Sequence, residues 1–181
     1  MIFKGLLNKG KSNGKGQPAR ESEYLGLLQV TTALKMQRHI HSIYEVVARE
    51  AARCLKSHRA TVFVVEEGKG GLTPQYSCSS TPGDEKLGLL EEKEIARKAI
   101  SEKRAFLLKD PEDFAAFFKY NERERKITSL LSVPFGPLGK TTGALSVTVI
   151  NENRPFEEKD VQVLSLFANL ASIAVQNHHT Q

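Results

Sequence analysis

Tryptophan is absent from these 181 residues, cysteine and methionine occur twice each, and no apolar run reaches the length of a membrane span. Each shortage removes a class of protein. Cys54 and Cys78 stand alone, without Cys-x-x-Cys spacing, so the sequence encodes neither a disulfide framework nor a zinc ribbon. Two isolated thiols suit a reducing compartment. A membrane helix needs roughly 20 uninterrupted apolar residues, and none occur. The opening Met-Ile-Phe-Lys is broken too early by charge for a secretion signal, and no small-residue cleavage site follows. The expectation is a cytoplasmic protein with one domain of ordinary size, long enough to bury a core unaided.

Acidic residues are missing from positions 1–20, which hold Lys4, Lys9, Lys11, Lys15 and Arg20. The other 161 residues carry 21 basic and 21 acidic side chains, so the net charge of +5 lies in residues 1–20, within a leader drawn over residues 1–21. A nearly neutral domain over residues 22–178 gives no basic surface for nucleic acid. Positions 8–20 are rich in Gly, Lys, Asn and Ser and read as a linker. Ahead of them, Ile2, Phe3, Leu6 and Leu7 share a helical face beside lysines; so short a segment reads first as a disordered start, with contact of residues 1–11 with an anionic membrane surface or a partner as the alternative.

Hydrophobic spacing then orders the domain. Tyr24, Leu27, Leu28, Thr31 and Leu34 predict a helix over 22–37, and Ile40, Ile43, Val47, Ala51 and Cys54 predict a second over 40–56. At Ala60–Glu66 the period changes to that of a strand, followed by a Gly-rich turn at 68–71 and a partner strand near Leu72–Cys78. Glu91 to Arg104 reads as a helix with acids first and bases last. Ala105–Lys109 reads as a short strand, and Asp110-Pro111 as an N-cap with proline in the first helical turn. Ile127–Phe135 and Ala144–Asn151 are the central strands, and a helix of about twenty residues closes the chain. The class is α/β (α+β), with a sheet of five to six strands.

No familiar catalytic constellation appears. Gly139-Lys140-Thr141 ends like a phosphate-binding loop, but position 134 is proline where glycine is needed, and a strand follows instead of a helix. His39 and His41 diverge by about 200° on a helix, and none of the five histidines has a partner at metal-ligand spacing. A Gly-x-Ser-x-Gly elbow is lacking. The chain is therefore expected to be neither a metalloprotein nor an enzyme.

Strand alternation supplies the candidate site. Ser146 and Thr148 point one way and Leu145 and Val147 the other, while Ser132 gives the preceding strand a small hydroxyl. In the first strand Thr61 and Phe63 share a face. With Tyr76 and Phe117, these residues form the candidate ligand-binding set, a face offering space, hydrogen bonds and aromatic surface; the alternative is that Ser and Thr only tolerate a tightly packed second layer there. In the closing helix, 11 of the 15 residues from Val161 to Val175 are apolar and form two stripes. Since a helix on a sheet needs one stripe, the second predicts another partner: the first helix and a second copy of the chain. Leu27, Leu34, Val163, Phe167 and Leu170 are the candidate dimer contacts.

The helices LGLLQVTTAL and IYEVVAREAARCL, the strands ATVFVVEE, SLLSVPF and GALSVTVIN, and the helix FEEKDVQVLSLFANLASIAVQN together resemble a GAF domain over about residues 22–178. The resemblance implies a central antiparallel sheet with first and last helices on one face, and a ligand pocket covered by residues 79–126 on the other. It also implies a homodimer and a partner signalling protein. Of the signature of cyclic-nucleotide-binding members, Asn151, Phe156 and Asp160 match, but Glu152 and Val161 replace its lysine and final glutamate. That departure speaks against a cyclic nucleotide, and neither cysteine lies in the context that holds a bilin. The ligand is left unidentified. Two alternatives stand beside a small-molecule sensor: an interaction module whose pocket is filled by Phe114, Phe117 and Phe118, and a thiol reductase working through Cys78.

Overall fold

The computed structural model describes residues 17–36, 39–83, 86–119, 126–137 and 139–179. The leader segment 1–11, most of the linker read over 8–20 and most of the charged run at 121–126 lie outside these. Among the described residues the chain runs α1 (Gln17–Met36), α2 (Ile40–Leu55), β1 (Arg59–Val65), β2 (Leu72–Ser79) and α3 (Leu89–Glu102). It continues through β3 (Phe106–Leu108), α4 (Pro111–Ala115), β4 (Ile127–Phe135), β5 (Gly143–Ile150) and α5 (Glu158–His179). The strands form one antiparallel sheet of five in the order β2-β1-β5-β4-β3, the arrangement that the resemblance implied. α1 begins at Gln17, inside the stretch read as leader. α3 ends at Glu102, with Lys103 as its C-cap at φ 54° in place of a basic last turn.

Both sheet faces are buried, and β5 is buried at every position. On one face Ala60, Val62, Leu131, Val133, Leu145, Val147 and Val149 meet α2 and α5 in the largest core cluster. α1 lies mainly on α2 and α5. A Cβ at Gly26 would stand 2.8 Å from Cys54 Sγ and 3.2 Å from Phe167 Cζ, so the small residue sets how closely α1 docks. α5 thus buries one stripe on the sheet and the other under its own helices. Val163 and Phe167 are 8% and 0% exposed. This corrects their assignment to a dimer interface: burying a Phe contributes roughly 1.5–3 kcal/mol to the protomer itself.

The opposite face is covered by α3 and α4. Ile95 and Ala99 of α3 join Phe106, Leu108, Phe114, Ile127 and Leu130 in a second cluster, and Ala96 meets Phe63, Leu72 and Ala144 in a third. α4 is fixed by the expected cap: Asp110 accepts from the Asp113 amide, and Asp113 answers to the Asp110 amide. Gly88 starts α3 at φ 64°, and a Cβ there would lie 2.1 Å from Ile127 Cδ1. Only glycine fits that corner.

A charged pair is sealed between α3 and the sheet. Arg59 on β1 reaches Glu92 Oε2 through Nε at 2.7 Å and Nη2 at 2.5 Å, and both side chains are fully buried. Nη1 donates to Leu87 O at 2.8 Å, and Thr148 Oγ1 donates to the same Glu92 oxygen at 3.2 Å. Removing one member of such a pair strands the other charge, whereas replacing both removes the problem. Glu92→Leu should therefore lower stability in urea unfolding by about 3–5 kcal/mol, and adding Arg59→Met should restore most of it. A double variant losing the sum of the single losses would contradict the coupling.

Candidate functional site

Strand register brings five of the seven predicted ligand residues onto the α3 face. Ser132 pairs with Ser146, Ser146 with Thr61, and Thr61 with Ser77, so hydroxyls form a row across four strands. The row is internally bonded: Ser132 Oγ lies 2.8 Å from Ser146 Oγ, and Thr61 Oγ1 3.0 Å from Ser77 Oγ. One register step away, Thr148 sits beside Arg59 and is spent on Glu92. Phe63 lies on the other side of the row, packed by Leu72, Ala96 and Ala144. Thr61, Phe63, Ser132, Ser146 and Thr148 are all fully buried. The expected gathering of small hydroxyl residues is present, but in the described structure these hydroxyls bond to one another and to Glu92.

The other two predicted residues sit elsewhere. Phe117 packs edge-on to Phe106 at 5.8 Å between ring centroids, beneath the Lys98 ammonium, and only borders the phenylalanine cluster. Tyr76 is on the wrong face and is a correction. β2 carries an extra residue opposite the Val62/Phe63 step, because Val62 pairs with Tyr76 and Phe63 with Pro74. That bulge reverses parity, so Leu72 faces α3 while Tyr76 packs against the α2–α5 core.

Arg59 and Glu92 were not singled out in the sequence. Arg59 shares the parity of Thr61 and Phe63, which was the available signal; Glu92 looked like an ordinary acid of a helix first turn. All polar contacts to this carboxylate go to Oε2, and Oε1 is buried with no hydrogen-bond partner among the described residues. Such an orphan acceptor is expensive and fits a donor arriving from outside.

Gly139-Lys140-Thr141 belongs to the β4–β5 turn, with Gly139 at φ 80°, and a strand follows it as expected. His58 receives the Ile150 amide on Nδ1 at 3.2 Å and lies 3.5 Å from Glu152, an edge fastening. Cys78 donates to Ala60 O at 3.7 Å, and burial pushes its thiol above the ordinary range. Cys54 beside Ser22 is likewise raised, chiefly by burial.

On the outside of the helical layer the chemistry is different. Leu27, Leu34 and Leu170 are half-buried against the core. Tyr24, Leu25, Leu28 and Met36 of α1 and Leu166 and Ile173 of α5 are exposed by 46% to 77%. Leu25, Leu28, Thr32 and Met36, spaced by three or four, run along one side of α1. Between α1 and α2 this side borders a groove of about 700 Å³ that also includes Val46 and Arg49. Among the described residues no helix is long and apolar enough to cross a membrane.

Comparison with known proteins agrees with this architecture. The GAF domain from a phosphoenolpyruvate-protein phosphotransferase of Coxiella burnetii superposes with a TM-score of 0.66 at 18% identity, covering 93% of this chain and 99% of that one. The corresponding domain from Acinetobacter gives 0.66 at 15% identity, covering 87% and 95%. The GAF domain of a putative sensor histidine kinase from Pseudomonas syringae pv. tomato gives 0.63 at 11%, covering 93% and 95%. No curated protein matches the chain. The GAF domain family model matches residues 37–176, which span α2 to α5. The chain therefore belongs to the GAF domain family, the sensory and regulatory domains found in signalling proteins.

Proposed function

We propose that this GAF domain acts as a homodimeric regulatory module, joined through the outside of its helical layer and passing its state to a partner signalling protein. The observation that carries the reading is the row Leu25, Leu28 and Met36 on α1, with Leu166 and Ile173 on α5, left in solvent by the protomer. Apolar side chains aligned along a helix are an unfinished core, and a two-fold copy of the same surface completes it. The proposed interface lies one layer further out than Val163 and Phe167. Light scattering on the whole chain should give twice the protomer mass, and Leu25→Glu with Leu28→Glu should halve it while circular dichroism is unchanged. A protomer mass for the native chain at about micromolar concentrations, or a dimer that survives both changes, would overturn the reading.

The module is read as non-enzymatic. Support comes from Cys78: its raised pKa keeps the thiol protonated at neutral pH, whereas an attacking sulfur must be thiolate. Alkylation of Cys78 by iodoacetamide, followed by peptide mass spectrometry, should keep accelerating beyond pH of about 8.5. A rate that levels off well below that pH would mark an activated thiolate and favour the reductase alternative.

A second reading, small-molecule sensing beneath residues 79–126, is favoured by the buried Glu92 Oε1 that lacks a partner. A ligand presenting an N–H or O–H donor would satisfy it. Thermal-shift measurements with amino acids, nucleotides, haem and 2-oxo acids test this. A donor-bearing compound should raise the melting temperature of the native chain and not that of Glu92→Gln. The absence of any shift would favour the interaction module, in which Phe114, Phe117 and Phe118 fill this side.

A further inference from the structure

Away from the α3 face, a cavity of about 280 Å³ lies at one end of the sheet, among the start of α2, the β4–β5 turn and the last turns of α5. We propose that it is a binding site for a small apolar carboxylate, branched aliphatic or aromatic. It is independent of protomer pairing and of the Glu92 face.

The walls and the polar groups select the ligand together. Ile40, Tyr44, Val64 and Val175 give apolar sides to a volume near the lower end for small-molecule pockets. Two hydroxyl-bearing residues line it: Thr142, whose Oγ1 is buried with no hydrogen-bond partner among the described residues, and Tyr44, which is 4% exposed and makes no side-chain hydrogen bond among them. Burial alone pushes the Tyr44 phenol up to about 12, so at neutral pH it holds its proton and donates. The third polar group is the Lys140 ammonium. Its present partner, Glu67, is 3.6 Å away, and the two side chains are 67% and 81% exposed, a pairing that contributes little and exchanges readily. Two hydroxyl donors and an ammonium on an apolar cavity match a carboxylate carrying a hydrocarbon body. A neutral hydrocarbon would leave Thr142 Oγ1 unpaired, and a cation would meet Lys140. Glu67 also borders the cavity but stands mostly in solvent, Gln75 adds a neutral amide, and Thr141, His41 and His178 complete the polar lining.

The frame around these donors is stiff and connected to the helices. A Cβ at Gly136 would fall 2.0 Å from Lys140 O, so the turn closes as tightly as glycine allows. Thr142 N donates to Phe135 O at 2.9 Å, and Lys140 N to Pro137 O at 2.9 Å. The Gly136 amide donates to Ser172 Oγ on α5 at 3.0 Å. An occupant held by Lys140 and Thr142 therefore bears on α5 through the turn and on α2 through Tyr44. It links a metabolite-sized acid to the helical layer without passing through the sealed α3 face.

Amide NMR of the whole chain tests the site, with 4-methylpentanoate and benzoate as probes and 4-methylpentanamide as the uncharged control. Both acids should shift the amides of Lys140–Gly143 and Val175–His178 saturably, with the neutral amide roughly tenfold weaker. Lys140→Gln, a change at an exposed side chain, should remove roughly that same factor for the acids and leave the control unchanged. Tyr44→Phe should weaken the acids as well. The proposal is overturned if neither acid gives saturable shifts up to about 10 mM. Shifts confined to Thr61, Ser146 and their neighbours would overturn it too, as would acids bound no better than the amide, which would mean a cavity that holds only water or hydrocarbon.

Discussion

The structure depends on one constraint: its central strands are covered on both sides, and the two covers demand different chemistry. Leu145, Val147 and Val149 of β5 enter an apolar core under α2 and α5, while Ser146 and Thr148 of the same strand enter a hydrogen-bonded row under α3, flanked by apolar clusters that include Ala144 and Leu130. Hydroxyls can be buried there because each finds another hydroxyl or Glu92. Arg59 fits for the same reason, since Glu92 and Leu87 O take up its donors. The ion pair joins one turn of α3 to β1 and β5, and Gly88 lets α3 start close against Ile127 of β4.

Much of this was legible in the residue order. The period of two in β5, and in β4 from Leu130 to Phe135, separated the two faces, whereas the irregularity between Ile127 and Ser129 put Ile127 beside Leu130 on the α3 side; Asp110-Pro111 marked the start of α4. What could not be read was whatever depends on a single inserted residue or on a contact far along the chain. Gln75 is the inserted residue in β2, and it turns Tyr76 away from the face that counting by twos from Leu72 would assign. Glu92 is one of two acids in a helix first turn, and only the fold distinguishes the buried one from Glu91. The two stripes of α5 were seen, but a stripe does not name its partner. α1 and α2 claim Phe167, and the outer row on α1 becomes the free surface. Tyr44 and Thr142 carried no signal, because an unspent hydroxyl is a property of surroundings and not of sequence.

The two sides of the sheet consequently have different tasks in the proposed account. The α3 side is closed in the protomer by its own hydrogen bonds, and opening it requires breaking the Arg59–Glu92 contact. The helical side presents apolar surface to solvent and borders the cavity at the β4–β5 turn. A change of state that enters through the helices needs a smaller rearrangement than one that first unseals α3. Differential affinity for two arrangements of α1, α2 and α5 is the thermodynamic requirement.

Native-state hydrogen exchange tests the seal most directly, because it reports which segments open together. The account predicts that amides of α3 from Glu92 to Ala99 exchange with the same opening free energy and denaturant dependence as those of β1 and β5. Exchange of the α3 amides through a separate, low-energy opening, while the β5 amides stay protected, would contradict it: α3 would then be a loose cover and the ion pair would not hold that face closed.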